Sequence, residues 1–233
     1  MSTRIPNPPH CERAADAWPQ RGQSLPSADS LWQRATGEAV TEHRSSWVRR
    51  VPDPSGDVFV KTYEYVSWAS RLRDFGKRTG PWGTPRVVRE FDALVWLRQH
   101  GFDAPTPLAA LVWRRWGFVR RATLVTEAFP GTAAAQLLPT LPTAERIEAA
   151  RAIGTTVGRL HRLGWRDRNL DLRNLLLAAG HDGWRVAKID SPRFVLVRPG
   201  RDDDRLACAD WLRLAPQLAA LGLAEAARGA ARS

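Results

Sequence analysis

A chain of 233 residues, 43% of them hydrophobic, can bury the core of one domain or of a small two-lobed one, and several domains are not expected. Lys and Arg outnumber Asp and Glu by 35 to 24, and the net charge of +11 favours polyanionic partners: nucleotides, nucleic acid or an anionic lipid surface. The longest apolar stretches, 133–138 and 175–179, are far shorter than the roughly 20 residues of a membrane-spanning helix; the proline-punctuated start has no signal-peptide apolar region, and Cys11 and Cys208 cannot make a disulfide framework, so a cytoplasmic setting is expected.

Residues 1–45 are polar, with Pro6, Pro8, Pro9, Pro19 and Pro26 and no sustained period, so a mostly flexible arm is expected there. Two strands over 46–51 and 57–63 flank a turn at Pro52-Asp53-Pro54-Ser55-Gly56, with Val58 and Val60 alternating against Phe59 and Lys61. Between 65 and 82, Tyr65, Trp68, Leu72 and Phe75 recur at helical spacing among Arg71, Arg73, Lys77 and Arg78. That composition suits a helix in a membrane interface, or equally an apolar stripe packed on the fold with solvated cations around it. A helix follows over 86–100, where Val87, Phe91, Leu94, Val95 and Leu97 share a face and Gly101 ends it. Ala104-Pro105-Thr106-Pro107 forces extended chain, and a second antiparallel pair is expected over 108–113 and 122–127, leading into a connector at Ala128-Phe129-Pro130-Gly131.

The second half is more helical. Ile147, Ala150, Ile153, Val157 and Leu160 define a helix over 143–163, with Thr143 as its cap and Gly164 as its stop. Short strands at 175–177 and 186–189 precede a helical stretch over 204–221, and the Ala/Arg-rich residues 224–233 read as a fraying helix end. Strands first and helices later imply an α+β fold in two lobes, one over 46–128 and one over 129–223.

Four features along this order suit phosphoryl transfer. Lys61 ends an alternating strand that can deliver an ammonium group to nucleotide phosphates, and Glu90 on the following helix can hold it. Each alone is commonplace on a protein surface. The segment from His161-Arg162-Leu163-Gly164 to Asn174-Leu175-Leu176-Leu177 is a helix end, a charged loop and a closing apolar strand. In Lys188-Ile189-Asp190 an apolar strand ends in a carboxylate, which with Asn174 offers oxygen ligands to a magnesium ion.

Together with Arg89-Glu90-Phe91-Asp92-Ala93-Leu94, Ala104-Pro105-Thr106-Pro107-Leu108-Ala109, Thr123-Leu124-Val125-Thr126-Glu127 and Ile189-Asp190-Ser191-Pro192-Arg193, these residues resemble the lipopolysaccharide kinase family, which includes core heptose and Kdo kinases. The resemblance runs from about residue 47 to 221. It implies a two-lobed protein-kinase-like fold with a small β-rich lobe and a mainly helical one. It also implies ATP with Mg2+, and a sugar hydroxyl of a glycolipid or saccharide as acceptor. Lys61, Glu90, Glu127 and Phe129 would then serve the nucleotide, and Asn174 and Asp190 the metal.

One departure bears on activity. Counting back from Asn174, the position of the family's catalytic carboxylate holds Asn169, whose amide cannot accept a hydroxyl proton. Asp171, two residues on, and Asp167, at the place usually held by His, are the carboxylates that could substitute, unless they are solvated or paired with Arg166, Arg168 or Arg173. The G-x-G-x-x-G fingerprint is also absent, since Gly56 is the only glycine between Val51 and Val58. A pseudokinase that binds nucleotide without transfer is therefore the competing expectation. An aminoglycoside- or choline-kinase-like enzyme would differ from the first reading only in its acceptor. Nucleic-acid binding, prompted by Trp113-Arg114-Arg115-Trp116, ranks last because no nucleic-acid module is recognisable.

Overall fold

Alternation in a strand and 3.6-residue periodicity in a helix bring the first candidate residues together, and the fold is best followed from that point outward. The computed structural model describes residues 10–16, 18–25, 27–65, 79–80, 83–198 and 205–232. The expected basic aromatic helix over 65–82 lies almost wholly outside the described residues; within them, Tyr65 is buried and donates its N–H to the Arg120 carbonyl at 2.9 Å. The chain divides into two compact units, Met1–Val95 with Thr106–Ala128, and Trp96–Pro105 with Phe129–Ser233.

The first unit carries β1 (His10–Ala14), α1 (Trp18–Ser24), α2 (Ala28–Leu31), β2 (Glu38–Glu42), β3 (Ser46–Val51), β4 (Val58–Glu64), most of α3 (Arg86–Gln99), β5 (Pro107–Arg115) and β6 (Phe118–Glu127). Its six strands form one antiparallel sheet in the order β1-β5-β6-β4-β3-β2. The β3–β4 turn closes with Gly56 donating its N–H to the Asp53 carbonyl at 2.9 Å, and Gly56 takes the positive φ of 112° that its lack of a Cβ permits. The stretch 1–45, expected as a flexible arm, differs in its described part. β1 pairs with β5, β2 pairs with β3, and Leu25 and Leu31 join Val58, Val60, Leu111, Trp113 and Val125 in one core. The reason is burial: the sheet carries apolar residues that need a cover, and these short segments supply it.

The second unit contains β7 (Thr132–Ala133), α4 (Ala134–Leu137), α5 (Thr143–Arg162), β8 (Trp165–Arg166), β9 (Leu175–Gly180), β10 (Gly183–Lys188), β11 (Val195–Leu196), α6 (Arg205–Ala219) and α7 (Ala224–Arg232). α5 buries Ala149, Ala150, Ile153, Val157 and Leu160 along one face, and Gly164 follows it with φ 82°. Thr143 is not its cap: the helix starts at Thr143, and Pro142 holds the cap position without a side-chain bond. β9 and β10 pair along their whole length, from Leu175 opposite Lys188 to Gly180 opposite Gly183.

The tail also differs from expectation. α7 lies against α5, with Ala227 fully buried, where Gly154 and Gly158 leave the space it needs. A Cβ on either glycine would overlap the carbonyl oxygen of Ala227 or Ala231. An Ala-rich helix packs closely when its partner presents small residues one turn apart.

Candidate active site

In β4, Lys61 and Tyr63 are two residues apart and so project from the same face; in α3, Arg86 and Glu90 are one turn apart. The Lys61 ammonium donates to Glu90 Oε2 at 2.9 Å, while the Tyr63 hydroxyl at 2.9 Å and Arg86 Nε at 3.0 Å both donate to Oε1. Glu90 is 2% exposed, so its charge is out of water and met by two cations and a phenol. The Arg86 guanidinium also stands 4.6 Å from the Tyr63 ring centre. Lys61 keeps a partly exposed side chain, which is what a phosphate-binding ammonium requires. Glu127 closes β6, its N–H bonded to the Thr106 carbonyl at 2.9 Å. Phe129 opens the second unit, with the Arg185 guanidinium 5.3 Å from its ring centre.

In the second unit the loop after β8 is held from below by α6. Asp210, fully buried, accepts the backbone N–H of Asp167 at 2.9 Å and of Arg168 at 2.7 Å, with His161 Nε2 3.3 Å from the same carboxylate. Two turns on, Gln217 Oε1 accepts the N–H of Leu172 at 3.1 Å. Neither residue was picked out in the sequence. The available signal was a carboxylate on the stripe Asp210, Leu214, Leu218 of a helix whose other stripe members are apolar and buried.

The loop brings together Asn169, Asn174 and Asp190. Asn169 Nδ2 donates to the Asp190 carbonyl at 2.8 Å and to its Oδ2 at 3.0 Å, Asn174 Nδ2 donates to the Asn169 carbonyl at 3.0 Å, and the Ile189 N–H donates to the Asn174 carbonyl at 3.0 Å. Arg168 and Asp190 have φ values of 58° and 55°, a region that non-glycine residues enter at a cost of about 1 kcal/mol or more. The Asp190 carboxylate and the Asn174 amide oxygen are hard oxygen donors of the kind magnesium takes, with phosphate oxygens and water completing its shell. Among the described residues no cluster of three or more His, Cys, Asp or Glu is present.

The two remaining carboxylates lie in different surroundings. Asp171 caps the short turn Leu172–Asn174, taking the Arg173 N–H at 2.9 Å, and grips the Arg173 guanidinium with both oxygens at 2.9 and 3.0 Å. These bonds hold its carboxyl below the usual carboxylate range. Asp167 is 1% exposed, with Oδ2 3.2 Å from the ammonium of Lys188, itself 1% exposed. Burial pushes its carboxyl above the usual range, against the pull of Lys188 and with Asp210 adding to the rise.

Residues 30–205 match the model of the Lipopolysaccharide kinase (Kdo/WaaP) family. Over 107 residues the chain is 31% identical to the 3-deoxy-D-manno-octulosonic acid kinases of Vibrio vulnificus strains YJ016 and CMCP6, an alignment covering 45% of this chain and 44% of each relative. The chain thus spans less than half the length of these curated relatives. A solved structure of WaaP in complex with acyl carrier protein superposes with a TM-score of 0.58 at 20% identity, covering 84% of this chain and 77% of that one, a likeness of fold. With an antiparallel sheet and its helix in the first unit, a mainly helical second unit, and three quarters of the sequence inside one family model, the chain belongs to the Lipopolysaccharide kinase (Kdo/WaaP) family.

Proposed function

We propose that the protein is an ATP- and Mg2+-dependent phosphotransferase that acts on a sugar hydroxyl of lipopolysaccharide core or a related glycolipid. The observation that carries this reading is the Lys61–Glu90 pair at 2.9 Å, with its carboxylate buried and its ammonium left partly open. Magnesium-bound ATP would supply the transferable phosphoryl group and much of the charge neutralisation. Lys61, oriented by Glu90, binds phosphate oxygens. Asp190 and Asn174 would hold the metal, and Asn169 fixes the Asp190 carboxylate through its amide. Glu127 and Phe129 serve the nucleotide base from the connector.

Of the two carboxylates near the loop, Asp171 is the one an acceptor hydroxyl can reach, because Asp167 is enclosed with Lys188. Asp171 must first release Arg173, and its lowered proton affinity makes it a weak base. A loose transition state tolerates that, since the hydroxyl loses its proton late and positioning dominates.

A pseudokinase is the second reading. It is favoured by Asn169, which stands in the base position and spends its amide on Asp190. Transfer of labelled phosphate from ATP to intact and deacylated lipopolysaccharide core separates the two. The kinase reading expects magnesium-dependent transfer that Lys61→Ala and Asp190→Ala abolish. Nucleotide binding without transfer to either acceptor, in both the wild type and Asn169→Asp, supports the pseudokinase.

A further inference from the structure

The pair of tryptophans in Trp113-Arg114-Arg115-Trp116 is divided by the fold. Trp113 is 1% exposed in the core of the first unit, whereas Trp116 is 78% exposed, more than any other large hydrophobic among the described residues. Arg115 lies opposite Phe118, so Trp116 and Gly117 alone make the turn between β5 and β6, with φ values of 53° and 79°. Both values are positive, as a type I′ hairpin turn demands, and its first position favours Asn, Asp or Gly. A bulky side chain there is an outlier that costs stability. Among the described residues the indole meets the Arg115 guanidinium, 4.5 Å from its centre and itself on an exposed residue.

The charges around the tip are uneven. Arg114 is turned back into the fold, donating to Glu12 Oε1 at 3.0 and 2.8 Å and to the Gly117 carbonyl at 3.0 Å. Arg115 and Arg120 form no ion pair with any described residue. Arg120 falls where the β5–β6 register shifts, so it lies just behind the tip. A convex two-residue tip with one exposed indole, and cations that pair with no described carboxylate, offers no groove for a nucleic-acid backbone. An indole at the headgroup boundary with guanidinium groups facing anionic lipid is the chemistry that such a tip satisfies. The chain's net charge of +11 acts in the same direction.

We propose that the β5–β6 hairpin tip, Arg115 and Trp116 with Arg120 behind them, anchors the protein to an anionic lipid bilayer. The proposal extends the proposed function, since a glycolipid acceptor lies in such a surface, yet it rests on the hairpin's own geometry.

The test is co-sedimentation of the full chain with vesicles of phosphatidylcholine, alone or with an equal part of phosphatidylglycerol, at low salt. Wild type is expected on the anionic vesicles and in solution with the neutral ones. Arg115→Ala should weaken partition by about fivefold, the factor one cation's attraction supplies at such a surface, and Trp116→Asn should weaken it as well, since the indole no longer enters the headgroup boundary. Trp116→Asn creates an Asn-Gly turn, so its thermal midpoint should equal or exceed the wild type's, and a loss of binding is then not a loss of folding. Unchanged partition of Trp116→Asn overturns the proposal, as does equal binding to both vesicles. A Trp116→Asn variant that loses affinity for a single-stranded oligonucleotide but keeps the vesicles also overturns it. Transfer to the intact and the deacylated core acceptors is read alongside: its absence with both, in wild type and in Asn169→Asp, removes the kinase reading and leaves the vesicle result standing.

Discussion

Lys188 and Asp167 make the most exacting single-residue test, because each is buried and each is the other's compensation. Lys188→Met leaves a carboxylate enclosed without its cation, which costs about 3–5 kcal/mol at neutral pH. The pH dependence follows from the raised proton affinity of Asp167 in the folded chain. A carboxyl with a raised folded-state pKa contributes stability that is full below its unfolded pKa, about 3.9, and lost as pH rises through the folded value. Losing Lys188 raises that folded value further. The gap between wild type and Lys188→Met in urea unfolding should therefore be largest near neutrality and shrink in acid. Adding Asp167→Asn to Lys188→Met should recover much of the loss at neutral pH, since no buried charge is then left alone. A gap that does not vary with pH would show that Lys188 acts through packing.

At the scale of the element, α6 serves as the scaffold of the loop and α7 as the brace of α5. Asp210→Ala leaves the N–H groups of Asp167 and Arg168 without their acceptor, at about 1–3 kcal/mol for each buried donor. Amide exchange at these two positions should speed up well before exchange in β9 and β10 does; equal acceleration everywhere would mean that the variant destabilises the fold as a whole. Gly154→Ala and Gly158→Ala force α7 away from α5, at about 1–3 kcal/mol each as overpacking, with the loss visible as faster exchange across Ala224–Arg232. These elements also show what a sequence conceals. Lys61 and Glu90 were legible because strand alternation and helix period place them locally. Asp210 was not, because its partners are 43 and 42 residues away and nothing in its neighbourhood names them. α1, of 7 residues, is too short for periodicity to show, and the packing of α7 depends on Gly154 and Gly158 of α5, which no local window links to it.

For the whole molecule, the excess of positive charge sets the response to salt and ligand. Self-repulsion at +11 destabilises the folded chain, so moderate salt should raise the thermal midpoint as the Debye length falls to about 10 Å near 0.1 M. ATP with Mg2+ should raise it further, by about 2.7 kcal/mol of stability at a hundred times its Kd, and Lys61→Ala should remove most of that gain. A midpoint indifferent to ATP and Mg2+ would count against nucleotide binding in either reading. Among the described residues no helix is long and apolar enough to cross a membrane. The α+β architecture was readable because the strands precede the helices, and the hairpins announce themselves by alternation and turn residues. What the sequence could not show is that the N-terminal segments close the sheet, since that depends on an uncovered apolar face hidden from any local window.

The clamp at Asp210 also has a consequence for synthesis. The chain leaves the ribosome from its N-terminus, and the acceptor for the loop amides is made 43 residues after the first of them. A nascent chain that stops short of Asp210 already carries Lys61, Glu90, Asn169, Asn174 and Asp190 but lacks the carboxylate that accepts the N–H groups of Asp167 and Arg168. Order in the loop is thus deferred until α6 has been made, and a chain released before that point carries the loop without its buried acceptor.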